Sequence, residues 1–95
     1  MFHSLSPQRV RHASGFIVQV ADRETIEYLA GACKARIAVD FAPLTGLYKD
    51  TLTDWILSDG SPKKMTDAER TQVLKNIGDA VTFMGIDFEW CRSKS

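Results

Sequence analysis

Residues 66–90, TDAERTQVLKNIGDAVTFMGIDFEW, decide how the rest of the chain is read. Thr66 and Glu69 have the spacing of a capping box, in which the threonine oxygen accepts from the backbone of Glu69 and the glutamate reaches back. Asp67 adds negative charge where the helix dipole favours it. Val73, Leu74, Ile77, Val81 and Met84 recur at three- and four-residue steps, so one helix face is apolar. Gly85 then stands where a left-handed stop belongs. Beyond it Ile86, Phe88 and Trp90 alternate with Asp87 and Glu89, which is strand spacing. A helix with one apolar stripe needs a surface to cover, and a strand needs partners. The stretch therefore predicts a helix over residues 66–84 lying on a sheet, with Gly78 either letting its backbone approach closely or standing as a tolerated surface glycine.

The sheet is sought upstream. In FIVQV, Phe16, Val18 and Val20 share one face, with Ile17 and Gln19 on the other. After the polar ADRE, TIEYL alternates again, Ile26 and Tyr28 opposing Thr25, Glu27 and Leu29. A helix capped by Asp22 is the rival reading, since Ile26, Leu29, Ala30 and Cys33 also fall at helical spacing. The run Thr25, Ile26, Tyr28 and the central Gly31 weigh against it, because β-branched and aromatic residues lose freedom in a helix and glycine costs about 1 kcal/mol there. A hairpin is the better reading.

ARIAVDF supplies a third strand, with Ile37, Val39 and Phe41 on one face and Arg36, Ala38 and Asp40 on the other. Pro43 is expected to end it. LYKDTLTDWIL reads as a broken fourth strand from Leu47 to Trp55, and SDGSPKK as an exposed loop. Residues 1–14 show no lasting period and read as a loose arm with a positive tip at Arg9, Arg11 and His12. The expectation is an α+β domain over residues 15–95: an antiparallel sheet of four to five strands, one main helix packed on one face.

Of the 95 residues, 44% are hydrophobic and 25% charged, which suits one folded domain with one core. Twelve basic and twelve acidic side chains cancel. Nucleic-acid binders draw most of their affinity from phosphate neutralisation and need a basic excess, so no nucleic acid is expected as partner. Two cysteines, Cys33 and Cys91, make no disulfide framework, and no spacing suggests a metal or a cofactor. The opening residues lack the apolar run of a signal peptide, and no stretch is long enough to span a bilayer. Cytoplasmic residence without membrane contact is the expectation.

Catalytic signals are missing from the sequence. His3 and His12 lie on the arm, where nothing would orient a general base, and no nucleophile elbow or phosphate loop is present. The reading is a non-enzyme. Asp40, Asp50, Asp54 and Asp59, with the single lysine Lys49 among them, form the more promising feature. An acidic surface on a rigid sheet suits a basic protein partner, because complementary charge speeds encounter. Solvated turn aspartates are the plainer explanation of each one singly.

LYKDTLTDW, a loop with Asp59-Gly60, and the stretch from Asp67 to Trp90 together resemble the bacterial family of immunity protein 74. The matching positions are Tyr48, Thr51, Leu52 and Trp55, then Arg70, Leu74, Asn76, Ile77, Ala80, Gly85 and Glu89. The resemblance covers about half of the chain and extends weakly to FIVQVADRETIEYL, where it favours strands. It implies an antitoxin-like role, the non-covalent neutralisation of a cognate toxin; a non-catalytic structural or regulatory domain is the alternative reading, and a small hydrolase a distant third. It carries over no catalytic residue.

Overall fold

A computed structural model describes residues 1–41 and 44–92. Pro43, expected to end the third strand, lies outside the described residues, as do residues 93–95 at the end of the expected domain.

Alternation of apolar residues sets the centre of the sheet. Strand β1 is Phe2–Ser6, β2 Arg9–His12, β3 Ile17–Asp22, β4 Thr25–Ala30 and β5 Cys33–Asp40. Each pairs antiparallel with the next. Cross-strand partners share a face, so the register Val10–Val18–Tyr28–Ala35 forms one inward row and Val20–Ile26–Ile37 another. The hairpin over residues 17–30 is as the alternation predicts. Gly31 closes the next turn at φ +61°, and Ala30 faces Cys33 across it, the backbone form that a two-residue hairpin loop requires.

Past β5 the sheet forks. Strand β6 (Gly46–Tyr48) pairs with the far end of β5, Val39 opposite Leu47. A single 3-10 turn, Lys49–Thr51, then carries the chain away. Strand β7 (Asp54–Ile56) returns beside the start of β5, Ile56 opposite Lys34, and pairs with β8 (Pro62–Lys64). The expected fourth strand is thus two short strands on either side of a turn. SDGSPKK is not simply a loop, because its last residues form β8.

Helix α1 (Asp67–Phe83) has Thr66 as its N-cap, with both bonds of the capping box present. Glu69 N donates to Thr66 Oγ1 at 3.1 Å and Thr66 N to Glu69 Oε1 at 2.9 Å. At the other end Gly85, at φ +82°, donates to Thr82 O, while Ile86 N donates to Val81 O. That bond pair is the Schellman arrangement, which satisfies carbonyls the helix leaves open. Strand β9 (Glu89–Cys91) then joins β6 in parallel, beginning later than Ile86 because residues 86–88 complete the turn off the helix.

Val73, Ile77, Gly78, Ala80 and Val81 are buried in the helix. They meet a core of Val18, Ile26, Ile37, Leu47 and Leu52, all essentially without solvent exposure. A Cβ on Gly78 would come within 3.1 Å of the Trp90 ring and 3.3 Å of the Phe88 ring. The close approach expected there is therefore to the side chains of β9 and the residue leading into it.

Two expectations need correction. Among the described residues the architecture is α+β with one α-helix, but the sheet has nine strands rather than four to five and is not wholly antiparallel, since β9 runs parallel to β6. The arm over residues 1–14 is no loose segment: it is the β1–β2 hairpin, Phe2 opposite His12, extending the sheet beyond β3. Phe2 and Val10 anchor it, Val10 at 1% exposure and Phe2 edge-on to Phe16 at 5.8 Å. Ser4 opposite Val10 and His12 opposite Phe2 put polar residues into its inward rows, which dilutes the period.

Candidate functional site

Among the described residues one α-helix faces a nine-stranded sheet, and it cannot cover both faces. The molecule measures 35 × 34 × 23 Å, and its short dimension is that of a sheet with one helical layer. Register shows what the second face carries. Arg11–Ile17–Leu29–Lys34–Ile56 forms one row across β2, β3, β4, β5 and β7. Arg9–Gln19–Glu27–Arg36 forms the row beside it. Arg9, Arg11 and Arg36 are exposed, and Ile17, Leu29 and Lys34 half-buried.

Glu27 is the one carboxylate within those two rows. It accepts from Gln19 Nε2 at 2.8 Å and from Arg36 Nε at 3.0 Å. The Gln19 bond, aided by Arg36, holds its carboxyl below the usual range although partial burial pushes the other way. Among the described residues Arg9 and Arg11 have no ion-pair partner. This half of the face is basic around an aliphatic centre.

The aspartates singled out from sequence stand on four different elements. Asp40 ends β5 on the open face, where Tyr48 Oη donates to Oδ2 at 3.5 Å. Asp50 is exposed in the 3-10 turn. Asp54 opens β7 opposite Lys64. Asp59 lies in the β7–β8 turn, its Oδ1 accepting from Ser61 N at 2.9 Å and Ser61 Oγ at 2.6 Å. The hydroxyl bond first, then the amide, lowers its pKa. Strand β7 meets the start of β5, whereas Asp40 is at its far end. Six residues of strand, about 20 Å, separate Asp40 from that pairing.

The basic rows were the part that sequence reasoning missed. Arg9 and Arg11 stood on an apparent arm, Arg36 was read on a different strand, and Lys34 was placed on none. Their alternation within RVRH and CKARIA was the available signal, but only the pairing of β2 through β5 places them side by side.

His12 also differs from expectation, for β2 and its turn orient it. Ser14 N donates to His12 Nδ1 at 3.0 Å, Ser14 Oγ lies 2.8 Å from the same nitrogen, and the ring stacks on Phe16 at 4.8 Å. The spacing is that of a hydroxyl and a base. Nδ1 is already an acceptor of a fixed backbone donor, however, so its visible task is closing the β2–β3 turn. Nearby, between this turn and α1, runs a cleft of about 810 Å³ with Ser14, Gln72 and Asn76 on its walls. Gln72 Nε2 donates to Asn76 Oδ1, and Asn76 Nδ2 donates to Tyr28 Oη at 3.0 Å. Burial of Tyr28 raises its pKa despite that last bond.

Among the described residues no three histidine, cysteine or acidic side chains gather as a metal site, and no helix is long and apolar enough to cross a membrane. No family model matches the chain, and neither a curated protein nor a solved structure matches it.

Proposed function

We propose that this domain is a protein-binding module, and in its specific form an immunity-type protein that neutralises a cognate toxin in the cytoplasm by non-covalent binding. The observation that carries the binding reading is the uncovered face of the sheet. A single layer of helix covers the other face, and the open one presents aliphatic side chains, arginines and carboxylates on a rigid frame. Such a surface can bury apolar area on association while its charges select the partner. The resemblance of residues 48–55 and 67–90 to immunity protein 74 supports the toxin as that partner. No catalytic residue, cofactor, nucleic acid or membrane enters the proposal.

Asp40, Asp50, Asp54 and Asp59 remain the sequence-derived candidates for contact with basic groups of the partner. The test is affinity capture with the tagged domain from its source organism, followed by association kinetics of the captured protein. A stoichiometric protein partner is expected, with an on-rate that falls as salt rises. Failure to retain any protein, together with turnover of a small substrate, would discard the reading.

A further inference from the structure

The open face has two electrostatically different halves. Over β5 to β8 each carboxylate has a neighbour: Asp40 has the Tyr48 hydroxyl, Asp54 faces Lys64, and Asp59 is closed by Ser61. Over β2 to β5 the balance is reversed. In the rows Arg11–Ile17–Leu29–Lys34 and Arg9–Gln19–Glu27–Arg36 four cations meet one carboxylate, Glu27, already held by Gln19 and Arg36, while Asp22 and Asp40 stand at the far ends of β3 and β5. Within these two rows the excess is three positive charges around Ile17 and Leu29.

We infer that the β2–β5 half of the open face docks an acidic surface of a protein partner, with an apolar side chain of that partner seated on Ile17 and Leu29. The inference rests on the protein-binding reading and names its site and partner chemistry. Aliphatic stems of Arg11 and Lys34 flank the two apolar residues in the same row, so a side chain placed there meets carbon below and cations around. Carboxylates suit the arginines through paired N–H donors. A nucleic acid fits less well, because Ile17 and Leu29 offer phosphate nothing and no aromatic ring stands in these two rows to stack a base. A second copy using the same patch would set like charges against each other.

The probe is a blocked nonapeptide of glutamates around a central phenylalanine, titrated into the isotope-labelled protein while backbone amide shifts are followed. The expected shifts cluster at Arg9, Arg11, Ile17, Leu29, Lys34 and Arg36. Replacing the peptide's phenylalanine by alanine should weaken binding about tenfold, the scale of one buried aromatic side chain. The variant Arg9→Glu/Arg11→Glu should weaken it by a similar factor, about tenfold, as exposed pairs become repulsions, with the amide spectrum unchanged elsewhere. Shifts confined to the Asp50–Asp59 side, equal binding of a lysine version of the peptide, or no binding would overturn the inference. Tighter binding of a DNA duplex would assign the face to nucleic acid, and sedimentation as a dimer that Arg9→Glu/Arg11→Glu dissociates would assign it to a second copy. A captured protein partner that binds this variant as well as the wild type would remove the inference while leaving the binding reading intact.

Discussion

At Glu27 one carboxylate accepts from Gln19 and from Arg36, and its pKa falls below the ordinary 4.5. Linkage gives the sign: a carboxyl with a depressed folded pKa contributes stability above its unfolded value, and that contribution is lost as pH drops through the folded one. Denaturant melts from neutral to acid pH should show part of the acid loss of stability disappearing in Glu27→Gln. An unchanged acid limb would mean that the two bonds do not persist in solution. Ile77 carries a different lesson, since its side chain is wholly buried between helix and sheet. Ile77→Ala should cost about 2–5 kcal/mol in the same melts through lost transfer energy and the cavity left behind. That inward position was legible from spacing alone, as were Val18, Ile26, Ile37 and Val81. The outward residues were not, because an exposed arginine leaves no period of its own and acquires neighbours only when strands pair.

Helix α1 was readable nearly to the residue because its signals are local: a reciprocal cap, a stripe and a glycine stop. Thr66→Ala should cost about 1 kcal/mol through the lost cap, read as a lowered denaturation midpoint with an unchanged slope. Strands β3 to β5 were readable for a similar reason, each burying alternate residues. The β1–β2 hairpin and β8 were not, since β1, β2 and β8 bury only Val10 fully and take their order from the strands beside them. Arg70 shows how the helix is fixed to this irregular part. Its Nε donates to Leu52 O at 2.9 Å and its Nη2 to Lys49 O at 2.6 Å, tying α1 to the 3-10 turn. A lysine cannot reproduce that fork. Arg70→Lys should therefore destabilise by about 1–3 kcal/mol, the worth of charge-assisted bonds, and hydrogen exchange should quicken around residues 49–52. Wild-type protection there would contradict the tether.

For the molecule as a whole, the nine-stranded sheet with one covering helix separates what folds the chain from what meets the outside. The candidate site was half legible. The acidic run was visible along the sequence, and its members fall on β5, the 3-10 turn, β7 and the β7–β8 turn, whereas the basic half of the face arises only from the register of four strands. The charged positions lie outside the core, so Arg9→Glu/Arg11→Glu and Asp50→Lys/Asp54→Lys should each leave folding stability within about 0.5 kcal/mol per substitution. Their effects on association should be large by comparison, since such charges act through encounter. The most direct measurement captures a partner with the wild-type domain and compares its association kinetics with both variants and with a helix-surface control, Lys75→Glu, at low and high salt. The account predicts a protein partner whose on-rate changes with open-face charges, converges at high salt, and ignores the control. A partner that responds to Lys75→Glu but to neither open-face variant would contradict it.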